Sequence, residues 1–328
     1  MNRRIFGADL LLLTTAAVWG FGFVAQRAGM QYVGPFAFNG IRFILGSLSL
    51  VPLVVWRNRG RPAATVPERK TLFFASFLAG TCLFFGVTFQ QLGLMATTAG
   101  NAGFITGFYV IFTPLFGIFL GRRTGIPTWI GAALNLLGLF FLSYSSSLGG
   151  VNPGDLVVLV SAVFWAFHVL IIDRLVQKND PIALSSGQFA FVGLYAFAAA
   201  FLIEPPLSSW LETSGGGLIS SGFIHWKSFP VLLDDLASGA LPVSFITSAM
   251  VPILYGGLVS VGVGYTLQTV AQRNAPPAHA TIILCLEGSF AALGGVLLLH
   301  EPVELRIVLG FALMLAGMVV SQWGILRE

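Results

Sequence analysis

Stretches of about twenty apolar residues recur ten times along this chain, and no water-soluble core can bury that many. The runs lie at 8–27, 34–56, 72–94, 98–120, 127–145, 155–174, 182–203, 249–271, 277–299 and 304–325. A helix of that length spans the roughly 30 Å hydrocarbon layer of a bilayer, at about 1.5 Å per residue. Only 9% of the residues are charged and the mean hydropathy is +0.86; a soluble domain carries about 25% charged residues. The expected class is an all-α membrane protein with ten transmembrane helices. The first run lacks a small-residue cleavage site and leads straight into further spans, so it reads as a helix and not as a signal peptide.

Basic residues set an expected orientation. With the N-terminus inside, thirteen of the 17 Lys and Arg fall in cytoplasmic segments. Arg27, Lys227 and Arg306 fall outside, and Arg42 lies within a span. That bias follows the positive-inside rule and places both termini in the cytoplasm. The net charge of +4 is therefore loop charge facing a membrane, not a nucleic-acid surface. Trp56, Trp129 and Trp323 at span ends, and Trp210 and Trp226 in an outside loop, fit interfacial anchoring. Cys82 and Cys285 lie inside spans and read as small core residues; two cysteines neither build a disulfide framework nor complete a zinc site.

The chain is internally similar. "DLLLLTTAAVWGFGF" from Asp9 aligns without a gap on "DLVVLVSAVFWAFHV" from Asp155, 146 positions on, and Trp19, Pro35 and Phe43 pair with Trp165, Pro181 and Phe189. Gln90 pairs with Gln268 and Ile105 with Ile283 at 178, and Gly131 and Gly138 with Gly310 and Gly317 at 179. The expected organisation is two five-helix repeats, residues 1–150 and 151–328, the second carrying an extended outside loop at 204–248. Five is odd, so the second copy enters the membrane from the opposite side. Inverted repeats of this kind characterise secondary transporters, because two similar halves can exchange conformations and so alternate access.

The second half resembles the EamA-type carriers of the drug/metabolite transporter superfamily. The residues that carry the likeness are "LYGGL", Gln268 in "YTLQ", Glu287 ahead of "AALGGVLLLHE", and the paired glycines Gly310 and Gly317. In the first half they are "AAVWGFGFV", "FNGIRF" around Arg42 and "GAALNLLG". The resemblance implies export of amino acids, drugs or other small metabolites across a bacterial inner membrane. Gly288 follows Glu287 where relatives usually place proline, which leaves a helix kink there unsupported by sequence, and "GRRTG" stands where a Gly-Glu is expected.

Ionisable groups at bilayer depth are costly and face a cavity or a partner. Glu287 lies about 14 Å into its helix and Arg42 about 10 Å into its own. The candidate cavity residues are Trp19, Asn39, Arg42, Gln90, Tyr109, Trp165, His168, Gln188, Tyr265 and Glu287. Trp19 and Trp165 offer faces for a planar or apolar solute. His168 reads as a proton shuttle or as an interhelical hydrogen-bond partner. Tyr109 stands 178 positions before Glu287. His279 reads as interfacial. In the loop 204–248, Ser228 as cap, Pro230 in the first turn and the stripe Leu232, Leu233, Leu236 predict a short amphipathic surface helix.

These readings point to a secondary transporter, an exporter of small organic metabolites, with proton coupling through Glu287 or uncoupled facilitation both open. The partners are the solute, the bilayer and protons; a homodimer is compatible, and no cofactor is expected. A metabolite-permeable channel is the alternative. An intramembrane enzyme is remote, since no Gly-x-Ser-x-Gly, His-Glu-x-x-His or paired aspartates occur, and no phosphate-binding loop exists for ATP.

Overall fold

The computed structural model describes residues 3–60, 62, 64–97, 99–143, 153–207, 228–241, 243–291, 293 and 304–325. They form helices α1 (Arg3–Gly29), α2 (Pro35–Asn58), α3 (Val66–Ala96), α4 (Ala99–Thr106), α5 (Tyr109–Phe119), α6 (Ile126–Ser143), α7 (Pro153–Leu175) and α8 (Pro181–Leu202). There follow α9 (Phe229–Ala237), α10 (Val243–Leu254), a π-helical segment (Tyr255–Tyr265), α11 (Thr266–Ala271), α12 (Pro277–Leu284) and α13 (Leu305–Ile325). Eight helices among the described residues are long and apolar enough to cross a membrane, and Ile126–Leu142 is a shorter apolar one. The protein is an all-α membrane protein. Trp210, Trp226, Gly294, Gly295 and Glu301 lie outside the described residues.

The outer faces carry large exposed apolar side chains such as Phe73, Phe74, Phe119 and Leu202, as a lipid-facing surface requires. The inner faces pack through small residues. Helices α6 and α13 cross glycine on glycine. A Cβ at Gly131 would lie 2.6 Å from the Gly317 carbonyl, and one at Gly138 2.6 Å from that of Gly310. These are the four glycines spaced at 179, and only backbones without side chains approach so closely.

Helix ends show how polar backbone is satisfied. Asp180 caps α8, accepting from the N–H groups of Ile182 and Ala183 at 3.1 Å each. At the position 146 earlier stands Gly34, whose helix α2 has no local side-chain cap. There Glu204, just beyond α8, accepts from Phe36 and Ala37 at 2.8 Å each with Oε1. Its Oε2 accepts from Phe229 at 3.0 Å. One buried carboxylate thus serves two helix N-termini that sequence separates widely.

Helix α9 forms where the turn chemistry predicts, but Ser228 makes no side-chain cap bond; the Phe229 N–H is taken by Glu204. Of its leucines, Leu232 packs on the core while Leu233 and Leu236 are exposed.

His279, in the first turn of α12, is held between helices. It is 1% exposed and bridges three helices: its Nδ1 bonds Ser321 Oγ at 3.0 Å, and its Nε2 bonds Asp9 Oδ1 at 3.0 Å. Gln322 donates to the other Asp9 oxygen at 2.7 Å. A short polar contact at a helix start is what keeps α1, α12 and α13 in register there.

Candidate functional site

Two helices that read as continuous in sequence are interrupted at the centre of the bundle. The 98–120 span tightens at Gly107–Phe108, between α4 and α5. The 277–299 span tightens at Cys285–Leu286, and helix resumes at Glu287. Both switch from i−4 to i−3 bonding in the same register. Phe108 N–H donates to Ile105 and Val110 to Gly107; Leu286 donates to Ile283 and Gly288 to Cys285. Each bond of the second set lies 178 positions after its counterpart. No proline is needed; the change of turn replaces i−4 backbone bonds by i−3 bonds. The two interruptions touch, with Cys285 Sγ donating to the Gly107 carbonyl at 3.7 Å. Tyr109 and Glu287 open the second halves of these helices.

Helix α1 fixes the opposite wall. Gly20 lets it lie on the Glu287 turn, since a Cβ there would meet the Glu287 carbonyl oxygen at 2.7 Å. Trp19 Nε1–H donates to the Ser260 carbonyl at 3.2 Å, and Thr15 Oγ1 donates to that of Gly264 at 3.2 Å. Both acceptors lie in the π-helical segment "YGGLVSVGVGY", whose bonding pattern widens the helix and frequently marks a functional site. The segment ends at Tyr265, on which four aromatic rings converge. Their centroids lie at 4.5 Å for Trp19, 5.8 Å for Phe43, 5.9 Å for Trp165 and 6.0 Å for Phe189. Trp165 stacks on Tyr265 at 10°.

Between these elements lies a cavity of about 30 Å³, roughly the share of one water in the liquid. It is lined by Trp19, Phe23, Gln26, Arg42, Gln90, Thr106, Tyr109, Trp165, Val169, Ser260, Tyr265, Gln268, Leu284 and Glu287. Sites for small organic ligands run to about 300–1,000 Å³. The cavity as it stands is therefore far smaller than such a site, and a solute of that size fits only after the lining moves.

Seven sequence-predicted residues line the cavity: Trp19, Arg42, Gln90, Tyr109, Trp165, Tyr265 and Glu287. Three do not. Asn39 supports Arg42, accepting from its Nε–H at 2.9 Å. His168 and Gln188 bond each other at 2.9 Å between α7 and α8. The lining residues not singled out as candidates are Phe23, Gln26, Thr106, Val169, Ser260, Leu284 and Gln268. A sequence signal existed for most of them. Phe23 and Val169 are 146 apart, Thr106 and Leu284 are 178 apart, and Gln268 pairs with Gln90.

Arg42 is 1% exposed, with its guanidinium 5.1 Å from the Phe43 ring centroid and 5.5 Å from that of Phe38. Among the described residues, its terminal nitrogens have no hydrogen-bond partner and it has no carboxylate partner. The Glu287 carboxylate likewise has no partner among them. Both ionisable groups line the same small cavity without a partner among the described residues.

The family model of the EamA-like transporter family matches residues 6–144 and again 152–322. An uncharacterized transporter of Archaeoglobus fulgidus is 27% identical over 321 residues, 97% of this chain and 87% of the relative. The uncharacterized transporter YvbV of Bacillus subtilis is 24% identical, with 94% and 89% covered. Solute carrier family 35 member F6 of Pongo abelii is 24% identical over 63% of this chain and 61% of its own. A crystal structure at 17% identity superposes with a TM-score of 0.73 over 98% of both chains, which establishes a shared fold. The chain is a membrane protein of the EamA-like transporter family.

Proposed function

We propose that this protein is a secondary carrier that exports small organic solutes, amino acids or drugs among them, across the bacterial inner membrane. The observation that carries the reading is the pair of register-equivalent helix interruptions meeting at Gly107 and Cys285, with Tyr109 and Glu287 lining a small central cavity. Interrupted helices at the interface of two repeats are where secondary transporters bind their cargo.

In this reading residues 1–150 and 151–328 are two inverted repeats, with both termini cytoplasmic. Two separate matches to the family model support the division, as do the pairs that meet across the centre. Trp19 and Trp165 lie 6.1 Å apart, and Phe43 and Phe189 6.0 Å. The halves rock about the Gly107–Cys285 contact, opening the cavity to one face and then the other. Glu287 exchanges a proton or a cationic group as access alternates. The homologues' printed names, transporters in bacteria and an archaeon, support transport over catalysis.

Reconstitution in proteoliposomes tests this. Wild type is expected to show saturable counterflow of a radiolabelled member of an amino-acid and cationic-drug panel, and inside-out vesicles to accumulate it. Glu287→Gln is expected to abolish stimulation of that flux by a pH gradient. Unitary conductance in a planar bilayer would replace the carrier by a channel, and unchanged gradient dependence in Glu287→Gln would remove the coupling role.

A further inference from the structure

Resting on the carrier reading, we propose that Arg42 selects solutes carrying a carboxylate, gripping that group with the terminal nitrogens that have no partner among the described residues. A side-chain pairing made in the second half is broken in the first. The residue 146 positions after Arg42 is Gln188, and the residue 146 after Gly22 is His168. In the second half these two meet, His168 Nε2 on Gln188 Oε1 at 2.9 Å. In the first half the long polar side chain is an arginine and its partner position is a glycine. Gly22 brings no ring to that place, and among the described residues a Cβ there would reach only the Ser260 side chain, 3.5 Å from its Oγ.

Arg42 is held but not neutralised. Asn39 takes the Nε–H, and Phe38 and Phe43 offer ring faces that fix the guanidinium plane. Anchored this way, a guanidinium presents its outer N–H groups as a fork, the geometry that matches a carboxylate bidentately. A buried, unpaired charge is costly, and a cavity with room for about one water cannot solvate it fully. An anionic group entering the opened cavity supplies the missing partner.

Glu287, the other ionisable group on the lining and likewise without a partner among the described residues, defines the far end of the solute. It receives an ammonium or another donor. Trp19, Trp165 and Tyr265 cover the wall between with aromatic faces. The class recognised is a small carboxylate, best a zwitterion, with a flat or apolar body. A purely cationic amphiphile satisfies Glu287 but leaves Arg42 worse off through like-charge repulsion.

The test uses purified full-length protein and three probes of one skeleton: L-phenylalanine, 3-phenylpropionate and phenethylamine. Binding is read by competition and by thermal shift, and flux in proteoliposomes. Wild type is expected to rank both carboxylates above the amine. Arg42→Gln is expected to weaken the carboxylates about 10- to 100-fold, the scale of a charge-assisted pair, and leave the amine equal or stronger. Arg42→Lys is expected to restore part of the carboxylate preference, which a purely structural arginine would not do. Wild-type preference for phenethylamine, failure to bind either carboxylate, or an unchanged ranking in Arg42→Gln overturns the proposal. Saturable flux of phenethylamine or ethidium in those same vesicles then leaves the carrier reading standing; absence of any saturable flux removes both.

Discussion

Cys285 donates its S–H to the carbonyl of Gly107, its counterpart 178 positions earlier in the chain. Two interrupted helices therefore meet at corresponding turns, and the residues two places further on, Tyr109 and Glu287, share one cavity. An identical tightening of both turns is what a packed bundle with an approximate two-fold relation would impose. The predictions below probe that centre and the helix ends that hold it.

Tyr109→Phe separates stability from function at this site. Among the described residues the Tyr109 hydroxyl is buried with no nitrogen or oxygen partner in hydrogen-bond reach, only the weakly bonding Cys285 thiol beside it. Removing it is expected to leave thermal stability unchanged or raise it by about 1 kcal/mol, because an unsatisfied buried hydroxyl is a net cost. Solute affinity is expected to change in the same variant, measured by counterflow, since the group points at the cavity that a solute would fill.

Gly20→Ala is expected to destabilise by about 1–3 kcal/mol, the scale of overpacking in a tight interior. The added methyl meets the Glu287 carbonyl at 2.7 Å and the Phe290 Cβ at 2.6 Å. A backbone atom cannot swing away as a side-chain tip can. Gly7→Ala, with no described atom within 4 Å, is the control expected to be neutral or stabilising by up to about 1 kcal/mol in thermal unfolding.

Glu204 gives the protein a component of stability that falls as pH rises. It lies beyond the end of the Pro181–Leu202 span. Burial pushes its carboxyl from the ordinary 4.5 up to about 7, against three backbone N–H donors that pull it down. The folded state therefore holds this proton more tightly than the unfolded chain. The associated stabilisation is present below about 4.5 and lost as pH rises through about 7. The melting temperature of wild type relative to Glu204→Gln is expected to be highest at low pH and to shrink across that window. Parallel curves for the two proteins would show that Glu204 does not titrate there.

A compensating pair tests the capping role directly. Glu204→Ala is expected to lose about 1–3 kcal/mol by orphaning buried N–H groups of α2 and α9. Gly34→Asp in that background is expected to recover about 1 kcal/mol, because aspartate then caps α2 locally as Asp180 caps α8. In the wild-type background the same change is expected to destabilise, since a Cβ at Gly34 runs into the Glu204 carboxylate. Chemical unfolding of the four proteins measures the cycle.

Much of this was written in the chain. Hydropathy and the 1.5 Å rise per residue fixed the all-α membrane class, because a bilayer punishes unsatisfied backbone so heavily that only helices or closed barrels cross it. The 146 and 178 spacings paired Trp19 with Trp165 and Tyr109 with Glu287 before any coordinates. Tertiary structure decided the rest. A hydropathy pattern does not distinguish a face turned to lipid from one turned to a neighbouring helix, so the burial of His279 and the pairing of His168 with Gln188 depended on how the helices rotate. The choice between i−3 and i−4 bonding at Gly107 and Cys285 costs little locally and is made by packing. Glu204 reaching the start of α2 joins segments 167 residues apart, a contact that no local rule contains.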